Sequence, residues 1–70
     1  MKLSARNVLK GKVISVVRGA VNAEVTVALK GGQQVVSIIT LGSVDGLGIK
    51  KGKSVYAVVK ASSVMLGVDH

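Results

Sequence analysis

Apolar and polar positions alternate with a period of two along most of the chain. The pattern is clearest from Asn22 to Lys30, and such alternation predicts a β-strand with one buried face. Gly31-Gly32 follows, and a glycine pair between alternating runs predicts a tight hairpin because both residues can adopt a positive φ. The returning strand is then predicted over Gln33 to Thr40. The buried face of the first strand is predicted to carry Ala23, Val25, Val27 and Leu29.

Alternation also predicts strands on both sides of this hairpin. Upstream, Asn7 to Arg18 is predicted to form one long strand, in which Gly11 indicates a bulge or a sharp bend, as at a barrel corner. Downstream, Ser54 to Lys60 is predicted as a fourth strand and Val64 to Val68 as a fifth. The core-facing residues of the fourth strand are predicted to be Val55, Ala57 and Val59.

The pattern changes between the third and fourth predicted strands. Ser43 is a good helix N-cap, Asp45 suits a first helical turn, and the glycines that follow end the helix quickly. One short helical turn is therefore predicted, followed by a basic turn from Ile49 to Lys53. The predicted fold class is all-β: a small five-stranded, OB-like barrel with one short helical turn between strands 3 and 4.

Length and composition bear on how such a barrel is stabilised. With 70 residues, the chain is expected to form one domain over residues 1–70. A domain of this size buries only ~60% of its unfolded surface and is marginal alone. Since the chain has no cysteine, disulfides cannot supply the missing stability. Self-association is the remaining source, so a homo-oligomer is expected.

The sequence also bears on location. No uncharged apolar run approaches the ~20 residues that a membrane helix needs. The start, from Met1 to Asn7, lacks the apolar core of a signal peptide. A cytoplasmic protein without a membrane partner is therefore expected.

The charge balance is strongly basic. Ten basic and three acidic residues give a formal net charge of +7, which favours an anionic partner. Nucleic acid, a membrane surface and a small anion all fit this charge. A solvated basic face without a partner fits it as well.

Catalytic arrangements are nearly absent from the sequence. His70 is the last residue, and terminal residues are usually mobile. Glu24 is expected on an exposed strand face, Asp45 at the helix start, and Asp69 is isolated. No nucleophile–base pair, phosphate loop or pair of carboxylates can be recognised. We therefore predict that the protein is not an enzyme and that no metal is liganded directly by its side chains.

Three segments at predicted strand ends are rich in hydrogen-bond donors and lack carboxylates: Ser4 to Asn7, Thr40 to Ser43 and Lys60 to Ser63. A tetrahedral dianion presents only acceptors, so its site needs hydroxyls, backbone N–H groups and a cation. Simpler structural roles are also open. Ser43 fits a plain N-cap, Ser62-Ser63 fits a turn, and the first segment fits a frayed terminus.

Four blocks in order resemble the molbindin, or Mop, family of molybdate-binding domains, and the match runs over essentially the whole chain. The blocks are Ser4-Ala5-Arg6-Asn7 with Leu9-Lys10-Gly11; Gly19 to Val25; Ile39-Thr40 with Ser43 and then Leu47 to Gly52; and Lys60-Ala61-Ser62-Ser63-Val64.

The resemblance implies an OB-like domain that exchanges strands in pairs and assembles as a hexamer, a trimer of dimers. It implies molybdate or tungstate as the ligand, with no further cofactor, at sites between subunits. The residues implied for the main site are Ser4, Ala5, Arg6, Thr40, Ser43, Lys60 and Ser62. A second class of site on the three-fold axis is assigned to the turn of Gly19, Ala20, Val21 and Asn22. Because no helix-turn-helix segment or ATPase core accompanies the domain, a free-standing store or buffer of the anion is expected.

Two other functions remain open from the sequence. A nucleic-acid-binding OB domain is favoured by the charge, but single-strand binders stack bases on aromatic side chains and Tyr56 is the one aromatic residue here. A structural module without a ligand is the third reading. The sequence does not separate molybdate from tungstate, since both are tetrahedral dianions of nearly equal size.

Overall fold

A computed structural model describes residues 1–69 of the chain. His70, weighed above as a catalytic candidate, lies outside the described residues. The helices and strands follow one another as β1 (Asn7–Arg18), β2 (Asn22–Leu29), β3 (Gln34–Thr40), α1 (Leu41–Leu47), β4 (Ser54–Val59) and a closing 3-10 turn (Ala61–Ser63).

The strands form one antiparallel sheet in the order β3-β2-β1-β4. β1 is its long central strand. Its first half, Asn7 to Lys12, pairs with β4, and its second half, Gly11 to Arg18, pairs with β2. The sheet curls, so that β3 and β4, its two edges, both line one apolar groove of about 240 Å³. This mostly-β, OB-like architecture with one short helix agrees with the predicted fold class.

The core lies on the inner face of the curled sheet, where alternation placed it. Val13, Val25 and Val27 form a buried cluster. Val55 and Ile39, from the two edge strands, are half-buried, and both pack against this cluster. The predicted faces of β2 and β4 are therefore confirmed. Strand ends differ by one residue, because β2 ends at Leu29, β3 begins at Gln34 and β4 ends at Val59.

The conformation of the two hairpin glycines agrees with the prediction, whereas the predicted bulge is not at Gly11. Gly31 and Gly32 have φ of 97° and 93°, as the hairpin prediction requires. Of the two alternatives predicted at Gly11, a bulge or a sharp bend, the bulge is wrong, since the register between β1 and β2 shifts between Val13 and Ser15 instead. Gly11 pairs regularly with Leu29 and Val55, and its requirement for glycine comes from close approach. A Cβ there would lie 2.5 Å from Val27 Cγ1.

The helix begins earlier than predicted. Its N-cap is Thr40, with φ −69° and ψ 154°, and Ser43 is the third helical residue. Asp45 lies beyond the first turn and forms an ion pair with Arg18 at 3.2 Å. The prediction failed because Thr40 can both end a strand and cap a helix: its extended backbone suits β3, and its hydroxyl accepts from the Ser43 amide.

The fifth strand predicted at Val64 to Val68 is absent from the chain as described over residues 1–69, which has a four-stranded sheet. Met65, Leu66 and Val68 are 92%, 94% and 89% exposed. Alternation reports an apolar face but not a partner strand, and no edge within residues 1–69 pairs with this segment. The apolar side chains are left without a surface to cover.

Candidate functional site

A pocket at the N-terminal end of β1 brings together most of the predicted site residues. It is lined by Ser4, Ala5, Arg6, Val58, Lys60, Ala61 and Ser62. All predicted main-site residues except Thr40 and Ser43 are in this set. We refer to it below as the anion pocket.

The sheet register explains why two distant segments meet in this pocket. Asn7, the first residue of β1, pairs with Val59, the last residue of β4. The chain entering β1 and the chain leaving β4 are therefore neighbours. Beyond Val59, Lys60 stays extended and its carbonyl accepts from the Ser63 amide at 2.9 Å. This 3-10 turn holds Ala61 and Ser62 beside the segment that precedes β1.

The chemistry of the lining suits an anion. Hydroxyls come from Ser4 and Ser62, and cations from Arg6 and Lys60, whereas no carboxylate lines the pocket. Such a set can donate many hydrogen bonds and accept few, as a ligand with acceptors alone requires. Lys60 is exposed and follows a strand whose even-numbered residues point away from the core, as the alternation predicted.

Val58 is a lining residue that was not among the predicted site residues. Its signal in the sequence is the same alternation, which predicts Val58 and Lys60 on the same side of the chain; Val58 lies in β4 and Lys60 follows its last residue. Ala61 also lines the pocket and lies within a donor segment identified from the sequence. Both supply small apolar walls beside the charged groups.

Thr40 and Ser43 lie elsewhere. Thr40 pairs with Asn22 at the start of β2, next to Arg18 at the far end of β1. The Thr40 hydroxyl accepts from the Ser43 amide at 3.1 Å and donates to Ser43 Oγ at 2.9 Å. The Ser43 hydroxyl proton is thus free for another acceptor. A single chain does not bring these two residues into the anion pocket.

The Gly19 to Asn22 turn joins this second group. The Gly19 amide donates to the Asn22 carbonyl at 2.8 Å, and the Leu41 amide donates to the Val21 carbonyl at 3.0 Å. The turn is therefore fixed against the start of α1. Val21 is 72% exposed at its tip. The turn and the Thr40–Ser43 pair lie together at one end of the molecule, opposite the anion pocket.

Other kinds of site find little support in residues 1–69. No group of three or more His, Cys, Asp or Glu side chains in this range could hold a metal ion. Across the same residues, no helix is long and apolar enough to cross a membrane. The Arg18–Asp45 ion pair is exposed at both partners and contributes little to stability.

Comparison with known proteins places the chain in a family. Residues 3–66 match the family model described as the TOBE domain. The chain belongs to the TOBE domain family. Within it, the resemblance to molbindins is confirmed by close relatives. A probable molybdenum-pterin-binding protein of Haemophilus influenzae is 49% identical over 69 residues, which cover 99% of this chain and 100% of that protein.

Solved structures of molbindins share the fold of this TOBE domain. MopII from Clostridium pasteurianum superposes with a TM-score of 0.91 at 48% identity. The match covers 96% of this chain and 100% of MopII. ModG, described as a cytoplasmic molybdate-binding protein and solved with molybdate bound, superposes with a TM-score of 0.93 at 54% identity. That match covers 97% of this chain and 48% of ModG.

Proposed function

We propose that this molbindin-like chain binds molybdate or tungstate without changing it chemically and serves as a store of the anion in the cytoplasm. The observation that carries the proposal is the anion pocket, where Arg6, Lys60 and two serines converge without a carboxylate. Relatives described as binding molybdate or molybdenum-pterin support the identity of the anion. The description of ModG as cytoplasmic supports the location.

We infer that each main site is completed by a second copy of the chain. The remaining predicted donors, Thr40 and Ser43, lie at the other end of β1. A strand rises about 3.3 Å per residue, so the twelve residues of β1 separate the two ends by about 36 Å along the strand. One small anion cannot bridge that length, whereas two copies that pack end against end can supply both groups.

The proposed assembly is a symmetric hexamer, a trimer of dimers, in which strands are exchanged. Two features of the single chain support exchange. The Val64 to Val68 segment is apolar and exposed, and the apolar groove between the β3 and β4 edges is open. Adding a segment to such a groove would bury both surfaces and satisfy free backbone groups of the edges. A second class of oxyanion site is proposed at the Gly19 to Asn22 turn, on the three-fold axis.

We also propose that the chain forms a single domain over residues 1–70 and that it catalyses no reaction. Within residues 1–69 the three carboxylate side chains are dispersed: Glu24 lies on the outer face of β2, Asp45 pairs with Arg18, and Asp69 is exposed near the C-terminus. No acid–base pair can be assembled from them. The nucleic-acid alternative gains no support from the relatives described above, and Tyr56 is the one aromatic side chain available for stacking.

Calorimetric titration tests the function. Molybdate and tungstate should bind with the same stoichiometry per oligomer. Sulfate should bind more weakly, because its shorter bonds cannot reach donors fixed on two rigid chains. Phosphate serves as the comparison for a hydrogen-bond-donating tetrahedral anion, which should also bind more weakly because the site offers it few acceptors. Failure to bind molybdate, or equal binding of sulfate, would contradict the proposed site.

A further inference from the structure

The outer face of the β1–β4 pair carries a continuous row of exposed residues that runs into the anion pocket. Alternation places the even-numbered residues of β4 and of the first half of β1, Asn7 to Lys12, on this face. The cross-strand pairs are Lys12 with Ser54, Lys10 with Tyr56 and Val8 with Val58. Arg6 and Lys60 come next, where the row meets the pocket.

More lysines lie at the other end of this row. The Lys50 to Lys53 turn is fixed beside β1, because the Val13 amide donates to the Lys53 carbonyl at 2.9 Å and the Gly52 amide donates to the Val13 carbonyl at 2.8 Å. Lys53 itself caps α1 by donating to the Leu47 carbonyl at 2.7 Å. Lys10, Lys12, Lys50 and Lys51 are exposed, and we call these four residues the basic stripe.

The basic stripe is not explained by the stability of the fold. The ion pair found among residues 1–69 joins Arg18 and Asp45, away from the stripe. Glu24 lies opposite Val17 and Ile38, toward the other edge of the sheet. Lys10 and Lys12, two residues apart on one strand face, are about 7 Å from each other and repel. Uncompensated like charges of this kind destabilise a small domain slightly, and they give this face a positive potential that attracts anions.

We propose that the basic stripe guides the oxyanion to the anion pocket by long-range attraction and raises its rate of association. This inference rests on the proposed function, which supplies the dianion. The four lysines do not line the pocket, and Val8 lies between Lys10 and the pocket residue Arg6 along the chain. Their effect is therefore on encounter and not on contact. A face lined by one sign of charge concentrates counter-ions and accelerates their capture.

Distance and screening set the size of the effect. Lys10 and Lys12 are four and six residues from Arg6 along β1, or about 13 and 20 Å. The Debye length is about 30 Å at 10 mM salt and about 3 Å at 1 M salt. Coulomb attraction of a dianion to these two charges, screened at about 10 mM salt, corresponds to about a threefold change in the association rate. At about 1 M salt it vanishes.

The test compares the double variant Lys10→Gln/Lys12→Gln with Lys10→Arg/Lys12→Arg, which keeps the charge. Equilibrium dialysis with radiolabelled molybdate gives Kd, and a chase with unlabelled tungstate gives the dissociation rate; their ratio gives the association rate. At about 10 mM salt the Gln pair should associate about threefold more slowly than the parent, with an unchanged dissociation rate. The Arg pair should match the parent, and all three proteins should converge at about 1 M salt.

Different failures have different meanings. An unchanged association rate for the Gln pair at low salt overturns steering. A faster dissociation, or a loss that persists at high salt, also overturns it, because either result assigns the lysines to direct contact with the anion. A parent protein that binds no molybdate at either salt concentration refutes the proposed function itself, and steering with it.

Discussion

Gly11 lies in the middle of the sheet, where its neighbours leave no room for a side chain. It pairs with Leu29 on one side and Val55 on the other. A Cβ would lie 2.5 Å from Val27 Cγ1 and 2.6 Å from the Ala28 carbonyl oxygen. Since one of these is a backbone atom, the strand would have to move.

We expect Gly11→Ala to lower the free energy of unfolding by about 2–3 kcal/mol, as overpacking of a core does. Gly46→Ala is the matched control, because Gly46 lies in α1 with nothing within 4 Å of its Cβ position. There the same change should raise the free energy of unfolding by about 0.5–1 kcal/mol. Urea denaturation at a fixed protein concentration measures both. A Gly11→Ala protein as stable as the parent would show that β1 tolerates the side chain.

Lys60 lines the anion pocket, and its long, flexible side chain carries a positively charged ammonium group. A charge-assisted hydrogen bond contributes ~1.5–3 kcal/mol, and each ~1.4 kcal/mol is tenfold in affinity. Lys60→Ala should therefore weaken molybdate binding by roughly ten- to a hundredfold with the fold unchanged. Lys30→Ala is the control, since Lys30 lies in the hairpin turn outside the pocket. Calorimetry that finds parent affinity for Lys60→Ala would remove this lysine from the site.

The N-cap of helix α1 also positions a residue that we propose to bind the anion. Thr40 Oγ1 accepts from the Ser43 amide and donates to Ser43 Oγ, so it both starts the helix and orients the serine hydroxyl. The helix has seven residues and contributes Val44 to the buried interior. A helix this short has few bonds of its own, so the cap contributes a large share of its local stability.

We expect Thr40→Ala to lower the free energy of unfolding by about 1 kcal/mol, the usual cost of losing an N-cap. Molybdate affinity should also fall, because a proposed site hydroxyl is removed and Ser43 loses the partner that orients it. Thr40→Ser keeps the hydroxyl and should restore both properties. Ser43→Ala leaves the cap intact and should weaken binding by about threefold to tenfold, the range of a neutral hydrogen bond. If Thr40→Ala changes neither denaturation midpoint nor affinity, the cap has neither role.

Elements defined by local chemistry were predictable from the sequence, and elements defined by a distant partner were not. The Gly31-Gly32 hairpin and the long β1 strand follow from turn chemistry and alternation. The bulge after Val13 leaves no residue signature, since the register shift depends on how β2 curls against β1. The prediction of a fifth strand failed because it also depends on a distant partner: alternation at Val64 to Val68 does not supply an edge strand for this segment to pair with.

At the scale of the whole molecule, the sequence identified donor-rich segments, but the topology decides which of them meet. Lys60 and Arg6 are distant in sequence and become neighbours because β4 runs antiparallel to the start of β1. Ser43 lies between them in sequence, yet β3 runs to the other end of the sheet. The division of the predicted site into two ends is what gives the proposed oligomer its role in binding.

The proposed shared site depends on assembly, and a substitution in the C-terminal segment tests whether the chain assembles. Leu66 is 94% exposed in the single chain, so in a monomer Leu66→Asp would cost almost nothing. If the segment packs in the apolar groove of a second copy, the same change buries an unpaired carboxylate and should dissociate the hexamer. Gln33→Asp adds the same charge at the exposed hairpin and should leave assembly intact.

Sedimentation velocity at micromolar concentration, with molybdate titrations in parallel, measures the outcome. The parent and Gln33→Asp proteins should sediment as one hexameric species and bind molybdate alike. Leu66→Asp should sediment as smaller species and lose affinity together with assembly, because the Thr40–Ser43 end of a second copy no longer reaches the anion pocket. A monomeric parent that still binds molybdate would contradict both the assembly and the shared site, and it would assign binding to the residues that one chain brings together.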